Sequence, residues 1–504
     1  MKKFWPLLLI FAMLLGACAP AQPATPGVCG QHADADNNGI CDVCAYSVYV
    51  LFDFYAINDL HGKLADGTGH PGVDELTTYL KNARATDAYA IFLSAGDMWQ
   101  GSSESNLTKG QIMVDWMNEL DFAAMTLGNH EYDWGSEYIE ANSKLAEFPF
   151  LAINIYDRQT NARVEYCEAS VVVEGGGLQI GIIGAMGDCY SSIAVDKCQD
   201  VYFKTGKELT DLVKEESTRL QAQGVDFIVY VIHDGYGSTG SSVQQVTGSQ
   251  IRSYYDTSLS DGYVDLVFEG HTHKGYRLQD EHGVYHLQNR GDNKGGISHV
   301  EVAINSVTGE PRVREAELVS TQTYQNMVDD PVVAELLEKY KDVISDANRV
   351  LGYNSKQLSS GAIGNLVAEL YYRAGSEKWG KDYEIVLAGG SIDTRSPYNL
   401  SAGDVTYAHL QALLPFDNEL ALCSIKGSDL KRRFLRNDDY RIYHPDQNLY
   451  DTIDDNATYY VLADTWSAYY SPNKLTVIEL YGSGVYARDF VAAFVETGGL
   501  SQNS

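Results

Sequence analysis

Positive charge is scarce in this chain: 37 Lys and Arg residues stand against 68 Asp and Glu, a net charge of minus 31 over 504 residues. Such a surface repels a nucleic-acid backbone, and no basic stripe offsets it, which argues strongly against binding of a DNA or RNA duplex. Long hydrophobic runs are missing too. Beyond Leu15 no apolar stretch approaches the ~20 residues of a membrane-spanning helix. The bias of disordered or fibrous chains is also absent, since 44% of residues are hydrophobic and 21% charged. At ~150 residues per domain the length implies two or three domains. A phosphate-bearing substrate would need a local positive centre, and for so acidic a chain a bound metal ion is the simplest source.

What is present begins with an export signal. Lys2 and Lys3 precede an apolar run from Phe4 to Leu15, too short to span a bilayer and shaped like a secretory signal over residues 1–17. Leu15-Gly16-Ala17-Cys18 resembles the lipobox of bacterial lipoproteins, which implies lipidation of Cys18. Loss of Lys2 and Lys3 leaves 35 basic against 68 acidic residues, taking the mature chain to minus 33. Residues 18–28 read as a Pro-rich spacer between lipid and fold. The expected location is the outer face of the bacterial cell membrane, touched only through the lipid anchor. An ordinary signal peptide with an incidental cysteine is the alternative.

Eight cysteines are present, and an exported chain permits disulfides. In residues 29–45, Cys29 and His32 face Cys41 and Cys44 across a short loop, a spacing that suits a tetrahedral structural zinc. The loop from Asp34 to Gly39 also resembles the start of a calcium-binding loop, but Ala45 stands where a bidentate Glu is needed. A disulfide-stapled turn without metal is the third reading. Cys189 and Cys198 are candidates for a disulfide, Cys167 and Cys423 for buried thiols.

From Tyr46 onward, apolar runs stop abruptly at polar, Gly-rich turns. Val48 to Ile57 ends in Asn58-Asp59-Leu60-His61-Gly62, and Ala90 to Leu93 in Ser94-Ala95-Gly96-Asp97. Phe122 to Leu127 ends in Gly128-Asn129-His130-Glu131-Tyr132-Asp133. Phe227 to Ile232 ends in His233, and Val264 to Phe268 in Glu269-Gly270-His271-Thr272-His273. These runs read as buried strands, with helix-like segments between them such as that carrying Leu76, Tyr79, Leu80 and Ala83 after Pro71. The pattern is an α/β layered domain with polar residues gathered at strand ends, where such folds place their sites. Asp59, His61, Asp97, Asn129, His233, His271 and His273 form a mixed nitrogen and oxygen donor set. It satisfies two metal ions if one carboxylate bridges them, and it favours zinc, manganese or iron. Any one of these histidines alone would more readily be a packed or surface residue; the ordered set is hard to obtain by chance.

Asp-x-His, Gly-Asp, Gly-Asn-His-Glu, a lone strand-end His and Gly-His-Thr-His, in this order, resemble the calcineurin-like metallophosphoesterases. Over roughly residues 47–490 the chain is similar to the bacterial 5'-nucleotidase and UDP-sugar hydrolase family. The resemblance implies a layered αββα metallophosphoesterase sandwich over residues 46–320. A connecting helix over 321–350 would follow, then a second α/β nucleotide-recognition domain over 351–490. It implies one ion held by Asp59, His61, Asp97 and His273 and another by Asp97, Asn129, His233 and His271. His130 matches the family's catalytic histidine and Asp133 the carboxylate that orients it. The expected activity is metal-dependent release of phosphate from a nucleotide, with hydroxide generated at the metal pair attacking phosphorus in line with the leaving group.

In the second half, Val333, Leu336, Leu337, Tyr340, Val343, Ile344 and Ala347 recur at helical spacing after Pro331. Gly364-Asn365-Leu366, the Gly389-Gly390 pair and Leu414-Pro415-Phe416-Asp417-Asn418 resemble family segments. They imply a substrate pocket with Gly390, with Phe416 stacking on a base and Asn418 reading its edge. The family has an arginine soon after the double glycine, but here Ser391-Ile392-Asp393-Thr394 intervenes before Arg395, the candidate to reach the phosphate. The family's terminal aromatic segment is replaced around Tyr469, the candidate for a second face on the base. These departures keep other substrates open: a nucleotide sugar, a 2',3'-cyclic nucleotide, or a sulfur-bound ester as in other members of the fold. A surface binding protein with an inactive core is the alternative that involves no enzyme.

Overall fold

The computed structural model describes residues 32–66, 71–237, 244–245, 251, 254–291, 296–392, 399–436, 440–446, 448–469 and 475–502. Cys18, Cys29 and Arg395 lie outside the described residues.

Two mixed sheets stack face to face in the first domain. One has the strand order Pro311–Val319, Ile297–Asn305, Tyr49–Ile57, Ala90–Ser94, Ala124–Thr126 and Phe150–Leu151. The other runs Gln244–Gln245, Tyr276–Gln279, Tyr285–Gln288, Leu266–Glu269, Phe227–His233, Leu178–Met186 and Ser170–Gly175. Phe52, Phe54, Ile91 and Leu93 of the first sheet meet Ile180, Ile182, Phe227 and Val229 of the second in one core. The helices Asp74–Thr86 and Gln111–Glu119 bury Leu76, Leu80, Trp116 and Met117 on the outside of the first sheet. Helix Gly206–Ala222 buries Leu209, Val213 and Leu220 outside the second. Strands covered on both faces explain why the sequence shows unbroken apolar runs instead of alternation. The architecture is the αββα sandwich.

The parallel pairing aligns the strand ends. Ile57 pairs with Ser94, and Ser94 with Met125, while Met186 pairs with His233 and Ile232 with Glu269. The chain therefore leaves five strands at one edge of the sandwich, and the polar turns follow there.

The second domain is a five-stranded sheet in the order Arg441–Tyr443, Ile385–Gly390, Thr458–Asp464, Leu420–Lys426 and Thr476–Leu480. Helices Ser360–Trp379 and Ala487–Glu496 cover one face through Ile363, Val367, Tyr371 and Val491. Leu430, Phe434 and Leu449 cover the other. The domain continues beyond residue 490, because Val491, Val495 and Leu500 fill its core.

The connecting helix differs from expectation. Two helices, Pro331–Lys339 and Lys341–Ala347, meet at Tyr340, whose φ of −101° and ψ of 11° leave the helical range. Tyr340 donates its hydroxyl to Asp115 at 2.7 Å, and Lys339 reaches the same carboxylate at 2.6 Å, so a side-chain tether on the first domain interrupts the helix. The disulfide expected between Cys189 and Cys198 is also absent: both are free thiols. Cys189 is buried and donates to the His233 carbonyl at 2.9 Å, while Cys198 turns to the Ala194 carbonyl on a separate turn.

One histidine that the sequence leaves without a role is a core group. His286 is buried with Nδ1 at 2.8 Å from Glu269 and Nε2 at 3.4 Å from Asp280. Burial opposes its charge, but Glu269 and Asp280 outweigh it and push its pKa up to about 9. The proton on His286 thus stabilises the fold fully below the unfolded value of ~6.5, and this contribution is lost as pH rises through the folded value. Denaturant unfolding should show stability falling across that window, by on the order of 1–3 kcal/mol. His286→Gln should be less stable at and below neutral pH, because two buried carboxylates lose their cationic partner, and should lack the slope.

Candidate active site

The turns at the strand ends bring the donors together. Asp59 and His61 follow Tyr49–Ile57, Asp97 follows Ala90–Ser94, and Asn129 opens a short turn of 3-10 helix after Ala124–Thr126. His233 ends its strand, and His271 and His273 follow Leu266–Glu269. Asp59, His61, Asp97, Asn129 and His233 are all buried. Asp59, His61, Asp97, His271 and His273 each hold a positive φ between 50° and 70°. Left-handed backbone costs a residue with a Cβ about 1–2 kcal/mol, so five such positions in one site are strain carried by the surrounding fold.

The side chains converge closely, nitrogen and oxygen donors crowding one another. His61 Nδ1 lies 2.9 Å from the Gln100 carbonyl, which only accepts, so the proton sits there and Nε2 presents a lone pair. That Nε2 is 3.1 Å from His273 Nε2, which is itself 3.2 Å from Asp59 Oδ1. His233 repeats the arrangement: Nδ1 donates to the Ala95 carbonyl at 2.6 Å, and Nε2 stands 3.1 Å from Asp97 Oδ2 without forming a hydrogen bond. His271 Nδ1 is 3.0 Å from Asn129 Oδ1. Donor atoms of Asp59, His61 and His273 lie within 4.8 Å of one another, as do those of Asp59, Asp97 and His233. Imidazole nitrogens and carboxylate oxygens gathered this closely suit divalent transition metals. The residues present fit such ions.

Electrostatics agree. Burial opposes a charge on His233, yet Asp97 and Asp59 push its pKa up to about 10, so the site draws in a proton where a cation belongs. Burial and the neighbouring His233 charge depress His271 to about 4. Burial raises the Asp97 carboxyl, but His233 and His130 hold it well below the usual carboxylate range.

Glu131, which the sequence offered only as the last residue of a motif, holds two of the turns. Its buried carboxylate accepts the backbone N–H groups of Asp97 at 2.9 Å, Met98 at 2.8 Å and Gly128 at 2.7 Å. Burial and the nearby Asp97 raise its pKa to about 7.

His130 stands beside the donor set. Its Nδ1 is 2.9 Å from Asp133 Oδ2, and its ring stacks on Phe416 of the second domain at a centroid distance of 6.0 Å. A cavity of about 270 Å³ opens there, lined by Asn129, His130, His271 and Lys197 from the first domain and Phe416, Asn418 and Trp466 from the second. Phe416 is braced from below. Asp417 accepts from Lys109 at 2.9 Å and pairs with the buried Arg488, which also donates to the Phe416 carbonyl at 3.1 Å.

Other expected pocket residues are placed differently. Gly390 is buried, and a Cβ there would meet Asp464 Oδ2 at 2.1 Å and Ser467 Oγ at 2.4 Å, so its glycine serves packing at the strand end. Tyr469 does not line the cavity. It is 36% exposed at the far end of the short helix Thr465–Tyr469, whereas Trp466, in the first turn above the strand end, takes the wall position. Sequence reasoning missed Trp466, although an aromatic directly after the strand Thr458–Asp464 was a visible signal. Lys197 had no local signal.

Comparison with known proteins places the fold. The calcineurin-like phosphoesterase family matches residues 52–275, and the 5'-nucleotidase C-terminal domain family matches residues 341–474. Protein UshA of Yersinia enterocolitica is 25% identical over 421 residues, covering 74% of this chain and 74% of that protein. The 5'-nucleotidase of Diplobatis ommata is 24% identical over 440 residues, covering 78% of this chain and 72% of that protein. The crystal structure of the 5'-nucleotidase precursor from Thermus thermophilus superposes with a TM-score of 0.66 at 18% identity, covering 89% of this chain and 97% of that one, a likeness of fold. The sandwich, the strand-end donors and the two consecutive family matches lead to one conclusion: the chain belongs to the metal-dependent phosphoesterases that join a calcineurin-like domain to a 5'-nucleotidase C-terminal domain.

Proposed function

We propose that this protein hydrolyses the phosphoester of a nucleotide at the cell surface, held to the membrane by a lipid on Cys18. The observation that carries the reading is the cavity in which His130 and His271 of one domain face Phe416, Asn418 and Trp466 of the other. Asp59, His61, Asp97 and His273 would hold one divalent ion and Asp97, Asn129, His233 and His271 a second, with Asp97 as bridge. When bound, two such ions make a water acidic enough to supply hydroxide at neutral pH and neutralise phosphoryl oxygens.

The protein's own groups do the rest. Asp133 accepts the Nδ1 proton of His130, which fixes the ring and lets Nε2 carry a proton toward the leaving oxygen. The base lies between Phe416 and Trp466, with Asn418 at its edge and Lys197 supplying positive charge near the phosphates. A nucleotide sugar is the second reading, favoured by a polar cleft of about 940 Å³ that shares Lys197 with this cavity and leaves room for a glycosyl group.

The direct test is phosphate release from AMP, UDP-glucose and 2',3'-cyclic AMP, before and after chelation and with manganese or zinc restored. Metal-dependent turnover of one of them is expected; turnover of none, with two ions still bound per chain, would move the substrate outside nucleotides. Asp97→Asn should abolish turnover, and wild-type activity in that variant would sink the bridged pair. His130→Ala should lower kcat by about 10²–10⁴-fold with metal content intact. Trp466→Ala should raise KM on the order of tenfold at little cost to kcat, as loss of one stacking face implies.

A further inference from the structure

Outside the active site, the described residues hold one more convergence of soft ligands. His32, Cys41 and Cys44 place their ligand atoms within 4.8 Å of one another, with His32 Nδ1 at 3.5 Å from Cys44 Sγ. Ligands around a tetrahedral zinc, with bonds of ~2.0–2.3 Å, stand roughly 3.5–3.8 Å apart. The backbone N–H of Ala33 points at Cys41 Sγ at 3.5 Å, as fits a thiolate, and the His32 ring stacks on Tyr46 at 5.5 Å. Cys41 and Cys44 are not joined to each other by a disulfide.

The surrounding segment needs such a staple. Across residues 32–48 only Asp34, Gly39, Cys41 and Val48 are buried, while Ile40 and Val43 lie exposed. So small an apolar area cannot order a segment of this length, and small modules of this kind are held by metal or disulfides. Metal is the choice that matches two converging sulfurs and an imidazole turned toward them. The acidic loop serves a different end. Asp34 accepts the N–H groups of Asn38 at 3.0 Å and Gly39 at 2.8 Å and the side chain of Asn305 at 2.6 Å, which ties the module to the sandwich. Its oxygens are engaged in those bonds.

We infer that His32, Cys41 and Cys44 bind a structural zinc ion that orders the N-terminal module against the start of the strand Tyr49–Ile57. The site is distinct from the dinuclear centre and takes no part in the reaction. Binding converts two thiols to thiolates, releases their protons to solvent, and changes no oxidation state. Cys29, the fourth ligand expected from the sequence, lies outside the described residues, and the inference rests on the other three.

The test is zinc content per chain in the full-length protein as wild type, Cys41→Ser/Cys44→Ser, Asp97→Asn and the triple variant. The double serine variant should lose one zinc per chain with kcat unchanged, and the triple variant should hold one fewer than Asp97→Asn. Because that second comparison is made without the bridging carboxylate, it reads this site whether or not the dinuclear assignment stands. Cobalt in place of zinc should give a thiolate charge-transfer absorption in Asp97→Asn that the triple variant lacks. Equal zinc in both members of each pair would overturn the inference. So would a disulfide at Cys41 or Cys44 in the purified protein, seen as a mass two hydrogens lighter.

Discussion

The candidate active site crowds carboxylates and imidazoles into one buried cluster. Two buried carboxylates and three imidazoles are held about 3 Å from their neighbours, and burying so many ionisable groups in a low-dielectric interior is costly unless cations, protons or metal ions, neutralise the carboxylates. The rest of the sandwich answers that constraint. Parallel strands from two stacked sheets end at one edge, so the donors arrive from five segments and none can relax without moving a packed strand. Five non-glycine residues stay in left-handed backbone for the same reason. Glu131 completes the frame by gathering N–H groups from two turns onto one carboxylate.

The second domain adds an aromatic wall to the donor edge. Phe416 reaches His130 across the domain boundary, and the loop that carries it is clamped by Asp417 between Arg488 of its own domain and Lys109 of the other. A buried carboxylate with two cationic partners ties that loop to both domains, and loss of Asp417 would leave the buried Arg488 without its carboxylate. The aromatic wall is thus set relative to His130 by electrostatics at some distance from the chemistry.

Much of this was legible beforehand, for a definite reason. Strands covered on both faces write themselves as continuous apolar runs, and a metal donor set writes itself as short motifs at their ends. Asp59 through His273 therefore stood out in order, as did the Phe416 segment. Features that depend on distant partners did not. The break at Tyr340 follows from Asp115, some 225 residues away in sequence, and the burial of His286 follows from Glu269 and Asp280 closing over it. The pairing considered for Cys189 and Cys198 is not made, because Cys189 turns to the carbonyl of His233, 44 residues away, while Cys198 turns to that of Ala194 in its own turn.

By itself, the sequence determined the layered α/β class, the two-domain order and the chemical character of the centre, since these rest on periodicity and on which side chains donate to metals. Tertiary structure alone decided which residues share a cavity. Trp466 and not Tyr469 faces Phe416, and Lys197 comes beside the donor set, because the orientation of a short helix and the meeting of two domains are set by packing among residues hundreds of positions apart. Local pattern records what a segment is made of; only the closed fold fixes what it meets.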